Sequence, residues 1–154
     1  FGEVGEGYTR SNLQKLGYTE QIVVKNGPGH GVDIIARNPK TRQIIIAEVK
    51  TNGSELSPDQ RVGGPGYAMS RLQRAADGEG AWAGLTPAER AGAERALSWV
   101  LFDEADGYGI QYLEIKYEVD SLGNLSNPRH RDWPHDPDGR PDSMPWNPGD
   151  GLGP

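Results

Sequence analysis

The first part of the chain has a stripe of residues at the spacing of a helix, with leucines at its C-terminal end. Four side chains between residues 2 and 16 would share one helical face: Glu6, Thr9, Leu13 and Leu16. Gly17 follows at a position where helices commonly end. The pattern predicts a helix over residues 2–16 that carries an acidic group, Glu6, on its inward face.

Three segments that follow have the composition of β-strands, namely residues 20–25, 31–37 and 43–51. The second and third segments carry apolar residues on both faces. This is typical of central strands that are covered by helices on two sides. Residues 38–41 form a short polar link between them, which favours a hairpin.

Helix-start signals come next. Ser57 and Thr86 are each followed by proline, and Gln60 and Glu89 stand three residues after them, as in a capping box. The predicted later elements are a helix over 67–76, a helix from Thr86 to about residue 102, and a strand over 109–119. The inward face of the second helix is expected to hold Ala93, Ala96, Leu97, Val100 and Leu101.

The composition changes at Asp120, after which Pro, Gly, Asp and Asn dominate. We predict that residues 120–154 form an irregular tail, which either belongs to the same domain or is ordered by a partner. Residues 1–119 are expected to form an α/β domain with a mixed central β-sheet flanked by helices. The chain begins with Phe1 rather than Met, which favours a piece of a longer protein.

Charge is distributed unevenly along the chain, whose net charge is −6. Residues 1–75 carry ten Lys and Arg against seven Asp and Glu, and the remainder carries six against fifteen. A local basic surface can bind phosphate whatever the total charge, although ordinary solvated charge explains the asymmetry equally well.

The absence of cysteine excludes disulfides and thiolate metal sites. No apolar run is long enough to span a bilayer, so no membrane partner is expected.

Ionisable residues interrupt two of the apolar strands. Asp33 lies in the second predicted strand, and Glu48 and Lys50 lie on one face at the end of the third. If the polar link closes the hairpin, paired residue numbers sum to 79 or 81, and both registers put Asp33 on the face of Glu48. A divalent cation such as Mg²⁺ would relieve the repulsion between the two carboxylates. Lys50 would stabilise the charge of a phosphodiester transition state or orient the attacking water.

Glu6 is a candidate fourth member of this group, because an inward-facing acid needs a partner such as a metal ion or Lys50. It could instead be favoured by the helix dipole, and Glu3 competes with it if the helix is rotated. The three strand residues could also form a purely structural salt-bridge cluster. Gln60 could reach the site or serve only its capping box. His30 could contact substrate or belong to a loop.

This arrangement resembles the PD-(D/E)xK nucleases, which have the restriction-endonuclease-like fold. Asp33 is followed after fourteen residues by Glu48-Val49-Lys50. Glu6, on the preceding helix, is similar to the first-helix glutamate of that family. The placement of the motif on a hairpin after an acid-bearing helix makes the resemblance more specific than the spacing alone.

The resemblance covers about residues 3–51, and Val32 stands where the family name has proline. It implies that Mg²⁺ or Mn²⁺ is bound by the carboxylates of Asp33, Glu48 and Glu6 and by the backbone carbonyl of Val49. It also implies that Lys50 is the catalytic lysine. Gln60 and His30 would then be substrate contacts or would support the metal ligands.

The implied activity is hydrolysis of phosphodiester bonds in DNA by a metal-dependent endonuclease. The alternatives are a ribonuclease that cleaves tRNA and, third, a non-catalytic binding module. A compact unit with a loop-rich end is most similar to the toxin domain of a bacterial polymorphic toxin. Such a domain would be secreted, or delivered by a bacterial secretion system into the target-cell cytoplasm; otherwise the nuclease would be cytoplasmic. A cognate immunity protein is the expected partner, with an acidic surface that covers the basic N-terminal half.

Overall fold

The segments with helical or strand periodicity form helices and strands in the structure, which is a computed structural model. It describes residues 2–25, 31–61, 63–133 and 144–145. The helices are α1 (Gly2–Lys15), α2 (Pro58–Arg61), α3 (Gly64–Asp77) and α4 (Pro87–Phe102). The strands are β1 (Glu20–Lys25), β2 (Gly31–Asn38), β3 (Gln43–Thr51), β4 (Gly109–Val119), β5 (Leu125–Asp132) and β6 (Met144–Pro145). Short 3-10 helices span Gly80–Trp82 and Asp103–Asp106.

One mixed sheet contains the strands in the order β1-β2-β3-β4-β5-β6. The pairs are antiparallel except β3 and β4, which are parallel. In the β2–β3 hairpin Ile34 pairs with Ala47, so paired numbers sum to 81. This is one of the two registers that the sequence allowed, and its continuation by one residue puts Asp33 directly opposite Glu48.

Helices cover both faces of the sheet, because neighbouring strand residues point to opposite sides. Helix α1 packs against one face through a cluster that includes Leu13, Ile34 and Ile115. Helices α3 and α4 pack against the other face through a cluster that includes Ile35 and Trp99. Full burial of each such side chain contributes roughly 1.5–3 kcal/mol. The predicted α/β fold with a mixed, helix-flanked sheet is therefore confirmed.

The N-terminal half of α1 lies close to the end of β3 because it carries a glycine there. A Cβ atom added to Gly5 would stand 3.0 Å from Val49 Cγ1 and 3.2 Å from Thr51 Cγ2. The buried hydroxyl of Thr9 donates to the Gly5 carbonyl at 2.7 Å and lies 2.7 Å from the hydroxyl of Tyr117. These contacts bring the next residue of the helix, Glu6, to the strand ends.

Helix α4 begins and ends where the sequence predicts, with the complete capping box at Thr86. Its inward face is only partly as expected. Ala93, Ala96 and Trp99 are buried, whereas Leu101 is 51% exposed. The prediction for Leu101 was wrong because it lies two residues, or about 200° of helix rotation, from Trp99.

The segment from residue 120 onward is not simply an irregular tail. Strand β5 pairs with β4 from Leu113 to Val119, and Trp133 directly after it is fully buried. The Trp133 indole N–H donates to the Gln60 carbonyl at 2.8 Å, which fastens α2 to the sheet. The expectation of irregular structure is therefore wrong for residues 125–133. Residues 120–124 form the turn between β4 and β5, and residues 134–143 and 146–154 of the predicted tail lie outside the described residues.

Helix α3 begins at Gly64, three residues earlier than predicted, because Pro65 occupies its first turn. An added Cβ at Gly64 would stand 2.7 Å from Tyr112 Cβ, so this turn lies directly on β4.

No helix in the described part of the chain combines the length and apolarity that a bilayer-spanning segment needs.

Candidate active site

An open cleft of about 310 Å³ lies at the ends of the central strands, between α1 and α3. It brings together the site residues predicted from the sequence: Glu6, Asp33, Glu48, Val49, Lys50 and Gln60. Lys25 and Tyr67 also line it. His30 lies outside the described residues.

Asp33 and Glu48 are held in place by backbone amides at the end of the hairpin. The Val49 amide donates to Asp33 Oδ2 at 2.8 Å, and the Asp33 amide lies 3.4 Å from Glu48 Oε1. Both residues are buried, with 8% and 2% of their surfaces exposed. The observed β2–β3 register ends at the pair Ile34–Ala47, and these two amide contacts hold the carboxylates together just beyond it.

This arrangement is electrostatically unfavourable for two ionised acids. Burial raises the pKa of the Glu48 carboxyl well above its usual range, and the neighbouring Asp33 raises it further. The positive charge of Lys50 lowers this pKa, but not enough to offset the other two effects. A cation bound between the carboxylates would favour their ionised forms.

Lys25, at the end of β1, was missed by the sequence-based reasoning. Its Nζ contacts the Glu6 carboxylate and lies 3.1 Å from Asp33 Oδ1. The protein partner of Glu6 is therefore Lys25 and not Lys50, while a metal ion at Glu6 stays a prediction. A signal was present, because pairing of the first two strands puts Lys25 opposite Gly31, two residues from Asp33.

The protonation of this bridge follows from its surroundings. Burial raises the pKa of Glu6, and the charge of Asp33 adds to the increase, while the hydrogen bond from Lys25 opposes it. Burial lowers the pKa of Lys25, but the bonds to Glu6 and Asp33 outweigh that effect and leave it raised. Lys25 therefore remains a cation between two acids.

Gln60 and Tyr67 form the wall of the cleft opposite α1. The Ser57 amide donates to Gln60 Oε1 at 2.9 Å, and the Gln60 amide donates to the Ser57 hydroxyl at 3.3 Å. Gln60 thus makes its capping box and also lines the cleft. The Tyr67 hydroxyl donates to the Gly31 carbonyl at 3.2 Å, and burial raises its pKa, with the charge of Glu48 adding to the shift.

A third buried acid, Glu114, stands beside Glu48 on the neighbouring parallel strand. The guanidinium of Arg131 contacts its carboxylate. The sequence-based reasoning missed this pair, because Glu114 lies in a regular alternating strand and Arg131 lies in the predicted tail. No local signal in the sequence could have found the position of Glu114, because its alignment with Glu48 depends on the parallel pairing of two distant strands.

The donor set fits a hard divalent cation, although no three His, Cys, Asp or Glu side chains within the described ranges are grouped closely enough to bind one unaided. Asp33 and Glu48 supply oxygen ligands, and Val49 lines the same cleft. Two protein carboxylates suffice for Mg²⁺, which commonly retains waters and binds substrate phosphate. Glu6 contacts Lys25 through one carboxylate oxygen, Oε1, so this ion pair does not by itself prevent the other oxygen from reaching an ion.

The cleft can therefore bind a cation through two buried carboxylates and stabilise negative charge on a substrate through Lys50. It is open to solvent, so a polymer could enter it. Its polar lining is unlike the mostly apolar walls of a typical small-molecule pocket. Comparison with known proteins adds no relative, because no protein-family model, curated protein or solved structure matches this chain.

Proposed function

We propose that the protein is a metal-dependent endonuclease that hydrolyses phosphodiester bonds of DNA. One observation carries the proposal: Asp33 and Glu48 are held together by backbone amides at adjacent strand ends and line an open cleft, with Lys50 two residues further along β3. Two carboxylates and a lysine are the groups that metal-assisted phosphodiester cleavage requires. The mixed sheet with helices on both faces supports a restriction-endonuclease-like fold as part of the same proposal.

Asp33, Glu48 and the carbonyl of Val49 would hold Mg²⁺ or Mn²⁺. When bound, such an ion supplies Lewis-acid polarisation of the phosphate and lowers the pKa of a coordinated water. Lys50 stabilises the negative charge that develops on the phosphate oxygens, or orients the attacking water. Lys25 bonds Asp33 Oδ1 and the Val49 amide bonds Asp33 Oδ2, and together they fix the orientation of this carboxylate in the cleft.

RNA, in particular tRNA, is the alternative substrate for the same cleft. The toxin role, its delivery and the cognate immunity protein are part of the proposal and are supported only by the sequence resemblance. Absence of a small open reading frame next to the gene would count against the immunity partner.

The test is to incubate the purified protein with supercoiled plasmid and with total RNA, in Mg²⁺ or Mn²⁺ and in EDTA. Cleavage should require the metal, and the substrate that is degraded distinguishes DNA from RNA. Glu48→Gln and Lys50→Met should abolish cleavage. Lys40→Met, at an exposed lysine in the turn between β2 and β3, is the matched control and should retain full activity. Cleavage that survives EDTA or Glu48→Gln would contradict the proposal, and binding without cleavage would favour the non-catalytic module.

A further inference from the structure

Three basic residues lie side by side on adjacent strands next to the cleft. The parallel register of β3 and β4 aligns Lys50 with Lys116, and the antiparallel register of β4 and β5 aligns Lys116 with Arg129. Aligned residues point to the same face of a sheet. With strands about 4.8 Å apart, this row crosses roughly 10 Å of the sheet.

The three residues line a second groove, of about 250 Å³. Lys50 lines both this groove and the acidic cleft, so the two depressions meet at that residue. Glu118 lines the groove as well, two residues beyond Lys116 on β4, and reverses the sign of charge there. The basic row thus starts at the candidate catalytic lysine and has an acidic boundary.

A carboxylate already occupies part of the row. Glu55 Oε1 lies 3.0 Å from Lys116 Nζ, and its Oε2 lies 3.5 Å from the guanidinium of Arg131. The side chain of Glu55 is 48% exposed, whereas that of Lys116 is 23% exposed. The pair is partly exposed and therefore contributes little stability, so a strand that brings several phosphodiester charges to the row can displace Glu55 from Lys116. A phosphate diester likewise presents two anionic oxygens that accept hydrogen bonds from a lysine.

A β-bulge lies beside the row. The β4–β5 register shifts between Lys116 and Glu118, and Asn127 on the opposing strand has a left-handed φ of 50°. Bulges bend a strand and redirect its side chains. Regular pairing is therefore interrupted next to Arg129, at the groove, and resumes at Glu118 and Ser126.

We propose that Lys50, Lys116 and Arg129 form a phosphate track that binds the backbone of one nucleic-acid strand where it leaves the cleft. Glu55 acts as an internal competitor that the phosphate displaces from Lys116. The track rests on the proposed nuclease function for its ligand. Its span of roughly 10 Å corresponds to about three steps of 3.4 Å along the axis of a duplex.

The test measures binding separately from cleavage. Fluorescence anisotropy with labelled single-stranded and duplex oligonucleotides is recorded in EDTA, between about 50 and 200 mM salt. Lys116→Ala should weaken binding about tenfold. It should also lower the slope of log affinity against log salt by about 0.7 for single strands or 0.9 for a duplex. Glu55→Gln should strengthen binding several-fold, because it removes the competing charge. Lys40→Ala is the matched control and should leave both quantities unchanged.

The outcomes separate this proposal from the nuclease assignment. Wild-type protein that binds no oligonucleotide, or a Lys116→Ala variant with wild-type affinity and salt slope, overturns the track. If the wild type still cleaves in that second case, only the track fails. Binding that depends on Lys116 without cleavage in Mg²⁺ or Mn²⁺ supports the track and removes the nuclease function. Unchanged or weaker binding by Glu55→Gln overturns the competitor role.

Discussion

Lys25→Met removes the cation that joins Glu6 to Asp33 while nearly preserving the volume of the side chain. Two carboxylates are then left close together beside Glu48 without the ammonium group that holds them. We expect the variant to be less stable than the wild type in metal-free buffer. We also expect divalent ions to stabilise the variant more than the wild type, because the site has become more negative.

The size of the expected stability loss follows from the exposure of the three side chains in this bridge. Lys25, Glu6 and Asp33 are 27%, 19% and 11% exposed, between the limits of surface and buried ion pairs. Removing one partner costs about 3–5 kcal/mol in a buried pair, whereas exposed pairs contribute about 0–1 kcal/mol, so about 2 kcal/mol is expected here. In a chain of this length, such a loss lowers Tm by about 4–8 °C.

Thermal unfolding followed by circular dichroism measures both effects, first in EDTA and then with Mg²⁺ or Mn²⁺. An ion present at about 100 times its Kd adds about 2.7 kcal/mol of stability. The gain in Tm on adding metal should therefore be larger for Lys25→Met than for the wild type. It should disappear when Glu48→Gln is added, because the ion then loses a charged ligand.

Lys40→Met again serves as the control and should melt like the wild type in both buffers. A Lys25→Met variant that is as stable as the wild type in EDTA would refute the bridging role. A variant that is destabilised but gains nothing from divalent ions would indicate a structural salt-bridge cluster and count against the metal site.

Three further predictions concern the same region. Burial and a neighbouring carboxylate raise the pKa of Glu48. The stability that Glu48 contributes is therefore fully present below pH 4.5, the pKa of an ordinary glutamate, and is lost as the pH rises through the raised pKa. Glu48→Gln should therefore be more stable than the wild type in metal-free buffer at neutral pH, with the difference shrinking towards pH 4.5; urea unfolding that shows no such trend would contradict this. Tyr117→Phe removes one of the two hydrogen-bond partners of the buried Thr9 hydroxyl and should cost about 1 kcal/mol, seen as a lower urea midpoint at an unchanged slope. Gly31→Ala would put a Cβ atom 1.9 Å from the Val24 carbonyl oxygen at a φ of 149°. It should cost about 3 kcal/mol and reduce cleavage, and a stable, active variant would show that this strand end is not fixed as described.

Local patterns in the sequence determined most of the secondary structure. Residues 43–51 and 109–119 form strands and residues 87–102 form a helix within the predicted bounds, because side-chain periodicity and capping residues act over a few positions. The approach of Asp33 to Glu48 was also predictable. A four-residue link leaves two hairpin registers, and both put the two acids on one face.

Tertiary structure decided what depends on pairing between distant segments. The parallel alignment of β3 with β4 puts Glu114 beside Glu48 and Lys116 beside Lys50, and no local pattern encodes that alignment. Strand β5 has few apolar residues, so its place in the sheet comes from backbone hydrogen bonds to β4 and from the burial of Trp133, rather than from its own periodicity. The pairing of Lys25 with Glu6 likewise requires α1 and β1 to meet at the end of β2. An ion pair is set by distance in space, which the fold determines, and not by separation along the chain.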